Sequence, residues 1–148
     1  RLDKQSEGLL LLTTDGKMSD RIRSKEIEKE YYAEVDGDVT DDKIEQLRTG
    51  VPISIYGKPY VTLPSEVRLL GHSELINVPI DPNEFKRHRP TAWLSIIVKE
   101  GKFRQVRKMT AAVGLPTMRL VRVRVGEVQL GTLEAGQVSQ LELNHYFK

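Results

Sequence analysis

Glu28-Lys29-Glu30-Tyr31-Tyr32-Ala33-Glu34-Val35-Asp36 alternates along its length, with Tyr31, Ala33 and Val35 on one side and Glu30, Tyr32 and Glu34 on the other. A period of two marks a half-buried strand, because successive side chains leave a pleated backbone on opposite faces. Gly37-Asp38 turns the chain after it. Thr40 then caps a predicted helix whose first turn carries Asp41 and Asp42, acids that complement the positive end of the helix dipole. Ile44 and Leu47 supply the buried side of that helix, and Gly50 ends it. Residues 51–70 read as two or three extended segments, with turns at Tyr56-Gly57 and at Pro59 and Pro64.

Upstream stands Arg1-Leu2-Asp3-Lys4-Gln5-Ser6-Glu7-Gly8-Leu9-Leu10-Leu11-Leu12-Thr13-Thr14-Asp15-Gly16. The run of four leucines, bounded by Gly8 and Asp15-Gly16, predicts a strand buried on both faces that ends in a tight turn. A loop feeding such a strand is held rigidly, so the Asp3 carboxylate beside Arg1 has a defined direction and a stabilised charge. Residues 17–23 read as a short helix with Asp15 or Gly16 at its start.

Downstream, Pro79, Pro82 and Pro90 with Asp81 and Asn83 interrupt any periodicity. Residues 71–90 are therefore expected to form a long basic surface loop tipped by Lys86-Arg87-His88-Arg89, either a functional element or a disordered insertion. Residues 91–98 are rich in β-formers, and Gly101 breaks them. A helix is expected over residues 103–113, closed by Gly114, with Phe103, Val106, Thr110 and Val113 on a buried face and Arg104, Arg107 and Lys108 on another. Residues 118–130 alternate as strands do, and residues 137–143 are expected to form a final strand. Strands outnumber helices and several connections are too short for crossover helices. The expected class is α+β, with a mixed, mostly antiparallel sheet flanked by a few helices.

At 148 residues the chain is expected to be one domain, or one domain with a small appendage, with a substantial core. It has no cysteine, so disulfides and thiolate zinc sites are excluded, and its three histidines show no metal-ligand spacing. No apolar run approaches the roughly 18 residues of a membrane helix, and no signal peptide is visible; a cytoplasmic monomer is the default expectation. The net charge of +2 hides a polarised distribution. Between Lys86 and Arg124 stand eleven basic residues opposed by Glu100, whereas residues 26–45 are rich in acids. That asymmetry suggests a face for a polyanion, the alternative being a solvated surface with counter-charges elsewhere in space.

Four segments carry a resemblance. Arg1-Leu2-Asp3 with residues 7–16, then Lys29-Glu30-Tyr31, then Glu100-Gly101-Lys102-Phe103-Arg104-Gln105-Val106-Arg107-Lys108-Met109, and finally Leu120-Val121-Arg122-Val123-Arg124-Val125-Gly126 resemble, in order and spacing, the motifs of the RNA pseudouridine synthases. Within that family the pattern is that of the small-ribosomal-subunit synthase A group and its large-subunit relatives B, E and F. Pro90-Thr91-Ala92-Trp93-Leu94 and residues 109–117 are most similar to the E group, which acts on 23S ribosomal RNA.

The resemblance implies the pseudouridine synthase catalytic fold and isomerisation of a uridine to pseudouridine. The N1–C1′ bond breaks, and the uracil turns and rejoins the ribose through C5. Neither cofactor nor metal is implied, and since no water needs activating, one carboxylate suffices. Asp3, Tyr31 and Lys102 would be the catalytic residues: the reacting carboxylate, the aromatic partner of the uracil, and the cation that keeps Asp3 ionised and aimed. Leu120 would pack under the base. Arg1, Arg104, Arg107 and Lys108 would hold phosphates around a flipped nucleotide, with Leu2, Gln105 and Arg122 as further substrate-binding residues. The implied partner is ribosomal RNA, free or in a pre-ribosomal particle. Relatives also carry a strand with a Lys-Pro motif before the aspartate loop, which is expected to be missing from a chain that begins at Arg1. An RNA-binding module without activity is the rival reading. A metal-dependent phosphohydrolase would need clustered acids near Asp3, and none is recognisable there.

Overall fold

In the computed structural model, residues 1–76, 78, 79 and 91–147 are described. In chain order the elements are β1 (Glu7–Gly8), α1 (Gly16–Arg23), β2 (Lys29–Asp36), α2 (Asp41–Thr49), β3 (Pro52–Ile55), β4 (Lys58–Val61) and β5 (Glu66–Leu69). They continue with α3 (His72–Leu75), β6 (Thr91–Val98), α4 (Gln105–Ala112), β7 (Thr117–Val125), β8 (Val128–Gln129) and α5 (Leu143–Tyr146). This is an α+β protein.

The main sheet has the order β1-β7-β2-β6-β5, with β8 added to β7, and β3–β4 form a separate hairpin. β1 runs parallel to β7 and every other pairing among these strands is antiparallel. The alternation of β2 decides which side chains meet. Tyr31, Ala33 and Val35 face a core that includes Leu47, Leu94, Ile96, Val106, Met109 and Leu120, beneath α2, α4 and the hairpin. Tyr32 packs on the other face with Trp93, Val121, Val123 and Phe147. The ladder between β2 and β7 slips between Glu30 and Tyr31, so Glu30 pairs with Arg124 and Tyr31 with Arg122. Such bulges re-aim side chains, and this one lies beside the site described below. The capped helices form as expected: the Asp15 carboxylate accepts from Met18 N (3.1 Å), and Thr40 Oγ1 from Lys43 N (3.2 Å).

Several expectations are corrected. Residues 9–12 are not a strand: Leu9 is buried, but Leu10 is 50% and Leu12 83% exposed. The reason is competition for one edge. β1 pairs with Val121 and Arg122, but just beyond them Leu130 N donates to the Val123 carbonyl (2.8 Å) and Gln129 pairs with Arg124. β8 thus occupies the stretch of β7 that residues 10–12 would need.

The helix expected from residue 103 begins at Gln105, because Arg104 is held at φ 50° and cannot be helical. Phe103, placed on the buried face, is instead 49% exposed. Residues 137–142 are irregular rather than a strand, with Val138 91% exposed. The segment 71–90 contains α3; its basic tip, Lys86-Arg87-His88-Arg89, lies outside the described residues.

The polarised charge is also partly absorbed internally. Arg119, 5% exposed, grips Glu7 through two bonds (3.0 and 2.7 Å). Arg124 pairs with Glu30 (3.0 Å) and Glu28 (3.3 Å). These acids are close in space but 94 to 112 residues away in sequence.

Candidate active site

The loop carrying Asp3 is short and closely braced. Ser6 N donates to the Asp3 carbonyl (2.9 Å), closing a turn. From beneath, the buried Arg122 donates through Nε to the Leu9 carbonyl (2.8 Å) and through a terminal nitrogen to the Arg1 carbonyl (2.9 Å), holding both ends of the loop. From the side, Arg107 donates to the Gln5 carbonyl (3.1 Å) and Ser6 Oγ (3.4 Å), and Arg104 to Gln5 Oε1 (3.2 Å). Gly8 sits against the Arg122 backbone at φ 104°, where no side chain fits.

Asp3 opens onto a cleft of about 740 Å³. Tyr31, Val98, Val106 and Leu120 give it an apolar wall, while Arg1, Leu2, Lys102, Arg104, Gln105 and Arg122 border it. Of the residues singled out from the sequence, Arg107 and Lys108 do not line it. Arg107 braces the Asp3 loop, and Lys108 Nζ donates to the Ser54 carbonyl (2.7 Å). Tyr32 points away, as the alternation requires.

The partner expected for Asp3 is corrected. Among the described residues the cation beside Asp3 Oδ2 is Arg104 (3.9 Å), not Lys102. The left-handed backbone of Arg104 turns its side chain back over the loop. Lys102 departs the other way, with Nζ 5.1 Å from the centre of the Tyr60 ring. Gln105 is buried and structural: it accepts from Lys102 N (3.2 Å) and donates to Glu100 Oε1 (2.9 Å). Glu100 also borders the cleft, but its oxygens are taken by Gln105, Leu63 N (2.7 Å) and the Tyr60 hydroxyl. That last bond is the main reason the Tyr60 phenol is pushed up to about 12.

Sequence reasoning named the Lys29-x-Tyr31 pattern but missed what Lys29 itself does. Two residues from Tyr31 on the same strand face, Lys29 lines the cleft yet is 7% exposed. Its ammonium donates to the Ser24 (2.9 Å) and Lys99 (3.4 Å) carbonyls. Burial first, and the charge of Arg122 second, lower it to about 8. Tyr56 and Phe103 also border the cleft and were not named as site residues. Among the described residues no three His, Cys, Asp or Glu converge as metal ligands, and no helix is long and apolar enough to cross a membrane.

The site therefore sets the Asp3 carboxylate, flanked by a guanidinium, against an aromatic ring and an apolar wall, with the Glu100 oxygens held by their own partners. Such a cleft can receive a planar, neutral ring and present a charged oxygen to its edge or to an attached sugar. The family model described as RNA pseudouridylate synthase matches residues 1–112. The chain belongs to that family. It is 39% identical over 150 residues to ribosomal large subunit pseudouridine synthase E of Vibrio parahaemolyticus, covering 97% of this chain and 59% of that protein. To the enzyme of the same name in Xanthomonas campestris pv. campestris it is 41% identical, covering 93% and 72%. Ribosomal large subunit pseudouridine synthase B of Yersinia pestis is 35% identical, with 97% and 40% covered. A crystal structure of a pseudouridylate synthase superimposes with TM-score 0.75 at 27% identity, over 98% of this chain and 55% of that one. The chain thus spans about 60% of the length of the Vibrio relatives it matches.

Proposed function

We propose that this chain is the catalytic domain, residues 1–148, of an enzyme that converts a specific uridine of large-subunit ribosomal RNA to pseudouridine. It would act as a cytoplasmic monomer on free or assembling RNA, without metal or cofactor. The observation that carries the reading is Asp3. It is aimed by Arg104 into a cleft walled by Tyr31 and Leu120, on a loop pinned by Arg122 and Arg107. The cleft volume falls within the roughly 300–1,000 Å³ of small-molecule sites, ample for one everted nucleotide. The match to synthases named for the large ribosomal subunit supports that RNA as substrate.

In this mechanism the uridine leaves its stack, at a cost of a few kcal/mol, and its ring lies against Tyr31 with Leu120 beneath. Arg104 directs the Asp3 carboxylate at the sugar–base junction. Breaking N1–C1′ leaves the bonding pair on the uracil and an electron-poor C1′ facing Asp3; the ring turns against the apolar wall and C5 bonds to C1′ in place of N1. The C5 proton leaves last, beside Tyr31, and N1 takes up a proton in its place, so the reaction is a net isomerisation. Arg1 and Lys102 on the rim face the phosphates.

The test is Asp3→Asn, assayed for pseudouridine in 23S ribosomal RNA fragments and for RNA affinity. Activity falls by more than about a thousandfold, with the dissociation constant within a few fold of wild type. Turnover by the variant at the wild-type rate would remove Asp3 from the chemistry. RNA binding by the wild type with no pseudouridine formed would favour a binding module instead.

A further inference from the structure

At the mouth of the cleft, Tyr56 and Phe103 stack with ring centres 5.5 Å apart and planes 19° from parallel. They come from different parts of the fold, the β3–β4 turn and the loop before α4, and both border the same cleft as Asp3. Neither ring is covered: Tyr56 is 80% and Phe103 49% exposed. Two aromatic rings held together in water at the rim of a binding cleft bury little and leave a broad π-surface open.

The backbone beneath Tyr56 sharpens the point. Ile55 pairs with Lys58, so Tyr56-Gly57 is a two-residue turn, and both residues have positive φ (49° and 79°). Such a turn favours Gly, which has no β-carbon to crowd the following carbonyl, or Asn, whose short polar side chain offsets that crowding by bonding the nearby backbone. A tyrosine there is a poor choice for folding. Among the described residues Tyr56 and Arg104 are the two non-glycine residues with positive φ, and both border this cleft. Strain of this kind collects where function holds a side chain in place. Phe103 directly precedes Arg104, the residue against Asp3, so one ring of the pair and the cation beside the carboxylate sit on adjacent residues.

Charge identifies the occupant. Lys108 Nζ lies 5.2 Å from the Phe103 ring centre, and Lys58 and Lys102 flank the pair along the chain. A π-surface bordered by cations suits a nucleobase carrying its phosphate, and aromatic stacking is the usual way a protein holds an unpaired base.

We propose that Tyr56 and Phe103 form a ledge on which an unpaired base of the RNA, close in sequence to the flipped uridine, stacks. This rests on the reading of the cleft as a uridine site and adds a second base-binding position to it. Stacking accepts any base, with purines favoured by their larger ring area.

The experiment uses the full chain and a ribosomal RNA fragment that it binds, assayed for pseudouridine, with 2-aminopurine placed singly at each position within a few nucleotides of each candidate uridine. Wild type quenches one of these on binding. Tyr56→Ala and Phe103→Leu restore the fluorescence and weaken RNA binding by roughly 5- to 150-fold, with the larger share of the kinetic loss in KM. Tyr56→Phe retains both properties. Tyr56→Asn separates function from folding: it suits the turn, so it raises the unfolding midpoint while RNA binding falls, a combination that a misfolded variant cannot give.

RNA affinity and quenching unchanged in Tyr56→Asn and Phe103→Leu would overturn the ledge. If those variants behave as wild type while wild type forms pseudouridine, the ledge fails and the uridine reading stands. Quenching that depends on Tyr56, in a protein that forms no pseudouridine on any fragment, would leave the ledge and remove the catalytic reading.

Discussion

Gly8→Ala is the substitution whose consequence is most directly worked from the structure. A β-carbon at residue 8 would lie 2.3 Å from the Arg122 carbonyl oxygen and 2.8 Å from Arg122 N, both backbone atoms, whereas ordinary contact begins near 3.4 Å. Something must move by about 1 Å. β7 is fixed on its far side by its long pairing with β2, so the displacement falls on the loop. The φ of 104° adds conformational strain, and together these cost roughly 1–3 kcal/mol of stability. More telling is the rate. Asp3 is five residues from Gly8 on the same braced loop, and a misplacement of about 1 Å is worth on the order of a hundredfold in turnover. The assay is single-turnover pseudouridine formation at saturating RNA, paired with urea unfolding and RNA affinity. We expect a rate about a hundredfold lower in a folded protein whose RNA affinity changes little. Gly16→Ala is the control, since a β-carbon there meets nothing within 4 Å. A Gly8→Ala enzyme that turns over as fast as wild type would refute the idea that this contact sets the position of Asp3.

Two further predictions follow from the buried cations. Arg122→Met leaves the Arg1 and Leu9 carbonyls without their donor, so urea unfolding should show a loss of about 2–4 kcal/mol and pseudouridine formation should slow; unchanged stability would remove the bracing role. Lys29, held at about 8 against an ordinary value of 10.5, makes stability depend on pH. Between those values the unfolded chain binds the proton and the folded one does not, so the stability of wild type relative to Lys29→Met should rise from about pH 8 to about pH 10.5 and be flat below. A difference that is flat or falls across that window, measured by urea midpoints, would show that the amine is not desolvated.

How much of this was readable from the amino acids depends on whether the deciding interaction is local. The strand through Tyr31, the helix capped by Thr40, and the opposite facing of Tyr31 and Tyr32 are set by period and by residues within four positions, so they could be read directly. Asp3, Tyr31 and Leu120 were named from their motifs, and the fold places all three on one cleft. Other features lay beyond local reasoning. The leucine run at 9–12 has the composition of a buried strand, yet whether it pairs depends on β8, some 120 residues later, taking the same edge of β7. Arg119, Arg122 and Arg124 look from the sequence like a face for RNA. The fold turns them inward, onto Glu7, the Arg1 and Leu9 carbonyls, and Glu28 with Glu30. The choice of Arg104 over Lys102 beside Asp3, and the meeting of Tyr56 with Phe103, hinge on backbone angles that no spacing encodes. Periodicity and capping act over a turn or a pleat and are written in adjacent residues. Edge pairing, charge neutralisation and ring contact are decided by which distant segments arrive at the same place.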